Sequence, residues 1–193
     1  MTGFASHGTL SEFIAGWDGM TRAVCGIAFG LFLFATAAQA ERVSIGFEGP
    51  GEGLAPAEML EDGYRIGMQG ITVSTAARSG DGTDGPTEIE SLMGVRGVAE
   101  ITRPGRPFVF VSLDWQSESG TPDVIVEGYS GELLVGREHF VLPGRGGFVT
   151  FVADALAGQG LDRLRILPQR DRGGMGALDR VILEDAPEAG ETS

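Results

Sequence analysis

The chain contains no lysine and no asparagine. Without lysine there is no Schiff-base amine, no P-loop lysine and no lysine general base. Without asparagine there is no N-glycosylation acceptor. The single cysteine, Cys25, lies in an apolar run near the N-terminus. Past residue 40 the chain therefore has no disulfide and no cysteine metal site. One histidine, His139, remains beyond that point, too few for a histidine-based zinc centre. Cations are scarce as well: Lys+Arg is 14 against 27 Asp+Glu, a formal net charge of -13. Phosphate backbones are bound through clustered basic side chains, so nucleic acid is not an expected partner.

What is abundant is glycine, 32 of 193 residues. It supplies the positive-φ turn positions that asparagine usually shares. The other strong feature is the segment Ala23–Ala40, AVCGIAFGLFLFATAAQA, uncharged and preceded by Arg22. Its end, Ala38-Gln39-Ala40, places small residues where a signal peptidase needs them. That pattern predicts an N-terminal secretory signal over 1–40, cleaved before Glu41, and export, to the periplasm or the exterior of the cell. Glu12 and Asp18 are out of place in an n-region, which makes Met20 a better start than Met1. If the segment stayed uncleaved it would just span a bilayer, and it would be the sole membrane contact. Cys25 opens the apolar run instead of following it, which argues against a lipid attachment site. Cleavage removes Glu12, Asp18 and Arg22, so the mature domain carries one negative charge fewer, -12.

The remainder reads as strands and turns. Val43–Phe47, Tyr64–Ile66, Ile71–Ser74, Val98–Thr102, Phe108–Trp115 and Val124–Tyr129 are short apolar or alternating runs. Glu132–Gly136, Glu138–Leu142, Phe148–Ala153, Leu161–Leu167 and Leu178–Glu184 follow, with Gly or Pro at nearly every junction. Short Val-, Ile- and Phe-rich strands at that rhythm predict an all-β antiparallel sandwich or barrel. Ala55–Asp62 is the one place where a helical turn is expected. A single domain over 41–185 is expected, with Gly80–Pro86 as a flexible loop and 186–193 as a disordered acidic tail.

The order of residues resembles a known group. An early strand ends in Phe47-Glu48, and a middle strand reads Phe108-Val109-Phe110-Val111-Ser112-Leu113-Asp114. Val124-Ile125-Val126-Glu127-Gly128-Tyr129 then turns at Ser130-Gly131. Phe148-Val149-Thr150-Phe151, Leu161-Asp162-Arg163-Leu164 and Ala177-Leu178-Asp179-Arg180-Val181 complete the series. This is similar to exported bacterial jelly-roll domains related to carbohydrate-binding modules and galactose-binding-like domains. Such domains are common in secreted proteins with C-terminal sorting signals. The resemblance implies a jelly-roll β-sandwich over Val43–Glu184. It also implies a structural Ca²⁺ tying the first strand to the last, with Glu48 and Asp179 at the matching positions. Two features depart from the pattern. Arg180 stands where a second acid is usual, and no hydrophobic, basic sorting signal closes the chain.

Sugar modules stack rings on exposed aromatics, and past residue 40 the chain offers Trp115, Tyr64 and Tyr129. Trp115 is the candidate ligand residue, at the end of the longest apolar strand beside Asp114, Gln116 and Ser117. The alternation Val109, Val111, Leu113, Trp115 is equally that of a core face, and both readings stand at this point. No G-x-S-x-G elbow accompanies His139, which reads as structural, and no carboxylate pair stands out, so no catalytic residue is expected. Arg163, Arg165, Arg170 and Arg172 cluster with Asp162 and Asp171, a self-pairing surface. The leading expectation is a non-catalytic exported module that binds a glycan or an envelope component, steadied by Ca²⁺. The alternative is a structural or protein-interaction domain meeting an envelope protein without a small ligand. A carboxylate-dependent jelly-roll hydrolase or lyase is the third.

Overall fold

The computed structural model describes residues 40–75, 85–92, 94–116, 123–141, 147–168 and 176–187. In chain order the strands begin with β1 (Arg42–Ile45), β2 (Gly53–Leu54), β3 (Glu58–Glu61), β4 (Tyr64–Gln69), β5 (Ile71–Thr75) and β6 (Thr87–Ser91). They continue with β7 (Val98–Thr102), β8 (Phe108–Gln116), β9 (Val124–Ser130) and β10 (Leu133–Phe140). The last three are β11 (Val149–Val152), β12 (Arg163–Pro168) and β13 (Ala177–Asp185). No helix occurs among the described residues. The expected helical turn over 55–62 is strand β3 instead, paired to β4 from Glu58↔Gly67 to Glu61↔Tyr64.

These strands form two antiparallel sheets, as the jelly-roll β-sandwich reading requires. The first has the order β11-β8-β13-β6-β5-β2, with β1 added on β13. The second has the order β10-β9-β12-β7-β4-β3. Their inner faces close one core in which Phe47, Tyr64, Phe108, Phe110 and Trp115 are wholly buried. Tyr64 meets Phe108 edge to face at 5.5 Å, and Phe140 stacks on Phe151 at 4.8 Å. Such ring pairs add to the area they bury.

Two bulges decide which residues reach that core. Ile182 pairs with Ser112 and Leu183 with Phe110, so Val111 is an extra residue in β8. Leu178 pairs with Trp115 and Arg180 with Asp114, so Asp179 is an extra residue in β13. A bulge shifts the two-residue alternation by one. Phe108 and Phe110 therefore share the core face with Leu113 and Trp115, and the simple alternation from Val109 to Trp115 is broken.

The turn between β11 and β12 is a plug. Leu156 is wholly buried and lies over Gly128 and Gly136. A Cβ at Gly128 would stand 2.7 Å from Leu156 Cδ2 and 2.8 Å from Leu161 Cδ2, so a side chain there would displace the plug. Buried Glu138 holds the plug, its Oε1 accepting the Asp154 and Leu156 amides at 2.8 Å each. Arg103, after β7, pairs with Asp185 at the end of β13. Its guanidinium lies 5.1 Å over the Tyr64 ring, so one cation links the two sheets.

Candidate functional site

The core side of the second sheet carries Ile66, Ile101, Leu164 and Val126, so the residues between them point outward. Register aligns these outward residues into rows that cross the strands. One row runs Leu134, Tyr129, Arg163, Thr102, Arg65 and Leu60. The next runs Arg137, Glu127, Arg165, Glu100, Gly67 and Glu58. Six strands at about 4.8 Å spacing make each row about 24 Å long.

Glu127 is the hub. Its Oε1 accepts Arg137 Nη2 at 2.6 Å and Nε at 3.1 Å, while its Oε2 accepts the Tyr129 hydroxyl at 2.7 Å and Arg165 Nη1 at 3.4 Å. Burial opposes its charge, but the Tyr129 hydroxyl and the two guanidiniums outweigh it and hold the carboxyl below its ordinary pKa. Arg165 also reaches Glu100 at 3.5 Å. Arg163 Cζ sits 4.5 Å over the Tyr129 ring, which leaves that half-buried ring oriented by a cation on one side and by Glu127 at its tip. On a neighbouring outward position, His139 Nε2 lies 3.1 Å from Asp123.

The self-pairing expected of the arginines is not what Arg163 and Arg165 show. Arg163 meets Glu132 in the β9–β10 turn, and Arg165 meets Glu127 and Glu100 on the two neighbouring strands, whereas Asp162 accepts the Gly131 amide. Arg170 and Arg172 lie outside the described residues. Trp115 is corrected outright as a ligand residue: it is 0% exposed, packed in the core, and has no ring face to offer a sugar. Tyr64 is buried too, which leaves Tyr129 as the aromatic on a sheet surface. Alternation in Val126–Tyr129 and Arg163–Ile166 carried the signal for this face, but without register nothing joined the two segments.

Glu48 and Asp179 lie on elements that meet along β13, one exposed and one buried. Asp179, in the β13 bulge, is wholly buried where β6 (Leu178↔Ile89) and β1 (Val181↔Ile45) both meet β13. Glu48 is exposed on the turn after β1, with Oε1 3.5 Å from the Thr87 amide. Thr87 Oγ1 is within donating distance of the Phe47 carbonyl, 3.1 Å, and the Gly46 carbonyl, 3.4 Å. Glu61 accepts the Gly46 and Phe47 amides and so fixes the turn, in which Phe47 has φ 61°. Burial raises the Glu61 pKa against those two amides, and Asp62 and Glu48 push it the same way. No group of three or more His, Cys, Asp or Glu side chains is arranged for a metal among the described residues. Any hard cation here would need carbonyl or water oxygens as well.

The class defined so far is an all-β two-sheet sandwich with a polar, ion-paired outer face on one sheet. No protein-family profile matches the chain, and no curated protein does. Solved structures do. One is a point variant of a family 29 carbohydrate-binding module, at 17% identity over 76% of this chain and 93% of that one, TM-score 0.45. Another is a family 29 carbohydrate-binding module at 17% identity over 76% and 89%, TM-score 0.46. A further variant, in complex with mannohexaose, matches at 17% over 76% and 92%, TM-score 0.45.

Proposed function

We propose that the chain is an exported, non-catalytic module whose second sheet binds a glycan on its outer face. The observation that carries this is the row Leu134, Tyr129, Arg163, Thr102, Arg65 and Leu60, laid straight across six strands beside the Glu127 ion-pair mesh. A chain of hydroxylated rings needs an oriented aromatic and fixed donors and acceptors, and this face supplies both. The mesh holds the guanidiniums in place before any ligand arrives, which limits the ordering cost of binding.

The test is a glycan array with residues 41–193 in calcium-containing buffer. One sugar class is expected to bind, and Tyr129→Ala is expected to weaken it about tenfold, the scale of one aromatic contact. The melting temperature should stay close to that of the parent. A blank array on folded protein, or binding indifferent to Tyr129→Ala, would reject this face as the site.

The reading includes a structural Ca²⁺ at the β1–β6–β13 seam, with Glu48 and Asp179 as its carboxylates. The placement of the two acids on elements of this seam, Glu48 on the turn after β1 and Asp179 in the β13 bulge, supports it. EDTA should lower the melting temperature by several degrees, and Asp179→Asn should abolish that sensitivity. A melt unchanged by EDTA would remove the ion from the reading.

A further inference from the structure

A groove of about 900 Å³ lies on the opposite side of the sandwich, on the outer surface of the first sheet. Its floor is apolar, built from Val109, Val111, Val152 and Ala153, and one wall is formed by the two chain segments 40–42 and 184–187. Ala40 and Glu41 are both exposed there. The Asp185 amide donates to the Glu41 carbonyl at 3.2 Å, which extends the β1–β13 ladder one pair beyond Arg42↔Glu184.

The charges of this wall do not balance. Glu184 is paired with Arg42, and Asp185 with Arg103. Glu41 is the third acid; the Arg103 charge feels it, but Arg103 is already paired with Asp185. The lining residues of β8 and of the turn after β11 are uncharged, and the buried neighbour Tyr64 contributes only a hydroxyl. The facing groups are thus Glu41, Arg42, Arg103, Glu184 and Asp185, with one cation too few.

We infer that this groove is the seat of a processed amino terminus. Hydrolysis of the Ala40–Glu41 bond places the Glu41 ammonium at the head of β1, beside Glu184 and Asp185, as the missing cation. The inference rests on the reading of the chain as an exported protein. In the step itself an export peptidase directs water onto the Ala40 carbonyl carbon and the C–N bond breaks. Ala40 leaves with the new carboxylate, and the Glu41 nitrogen takes up protons to become the ammonium.

Neighbouring carboxylates favour the charged amine, so its pKa in the folded protein lies above that in the unfolded chain. The stability this adds is complete below the unfolded value and is lost as pH rises through the folded one. The absence of lysine makes the test clean, because the α-amine is the sole primary amine of residues 41–193. After reductive ¹³C-methylation its titration is read directly by NMR, folded and in urea. The folded amine should titrate above the unfolded one, and Glu41→Gln and Glu184→Gln should each draw it back. Nα-acetylation should lower the melting temperature by a few degrees at pH 6 and leave it unchanged at pH 10. Identical titration in both states, unmoved by either variant, overturns the seat. Amino-terminal sequencing of the exported protein separates the two failures. A first residue other than Glu41 overturns the inference through its premise, whereas a Glu41 start with an unshifted amine overturns the seat alone.

Discussion

Replacing Trp115 with alanine should unfold much of the protein before it touches ligand binding. The ring is 0% exposed and lies mid-sheet, with Val149 opposite on β11 and Leu178 opposite on β13. Truncating a buried tryptophan costs about 3–5 kcal/mol, from lost burial and from the cavity left behind. For a domain of this size that is a fall of about 10 °C in melting temperature. A sugar-stacking tryptophan would behave in the opposite way, losing affinity at unchanged stability, as is expected here of Tyr129. Trp115 is the sole tryptophan of residues 41–193, so its fluorescence provides a direct check. Blue-shifted emission that acrylamide fails to quench is the expected result. Red-shifted, readily quenched emission from folded protein would show that the ring faces water.

Glu138→Ala is expected to be almost as costly, although it removes no apolar surface. One buried carboxylate oxygen accepts two amides, from Asp154 and Leu156, at 2.8 Å each. Alanine would leave the Leu156 amide without an acceptor in the interior, at about 1–3 kcal/mol, while the Asp154 amide, on an exposed residue, can turn to water at smaller cost. The turn they belong to seats Leu156 over Gly128 and Gly136, so its release also uncovers the core there. The expected sum is about 2–4 kcal/mol, with the 153–160 segment losing hydrogen-exchange protection ahead of the sheets. Glu138→Gln keeps one acceptor oxygen and should recover part of the loss. Uniform protection loss across both sheets, or no change in stability, would show that Glu138 does not pin the plug.

The class of fold was legible in the residues themselves. Val43–Phe47, Val98–Thr102, Phe108–Trp115, Val124–Tyr129 and Leu178–Glu184 all match strands, because apolar alternation and Gly-Pro punctuation are local signals. Strand β6, Thr87–Ser91, was not legible. Its Glu88 and Glu90 look like surface loop, yet Glu88 is wholly buried and both carboxylates lie within hydrogen-bond distance of the Ser74 hydroxyl on β5. Strand β3 was misread as a helical turn for a related reason, since Glu58-Met59-Leu60-Glu61 has no local mark of the β4 edge that captures it.

Composition and pattern by themselves determined an acidic, thiol-free, glycine-rich β domain after an uncharged apolar run, and they brought Trp115, Glu48, Asp179 and the arginines into view. Which of those residues meet, and on which surface, was decided by tertiary structure. A bulge at Val111 and another at Asp179 shift the alternation by one residue. Register alone brings Tyr129, Arg163 and Glu127 together from two separate strands. Alternation is a property of one strand, whereas a binding face is a property of several strands in register. The pairing energies that choose register are spread over contacts between residues far apart in the chain.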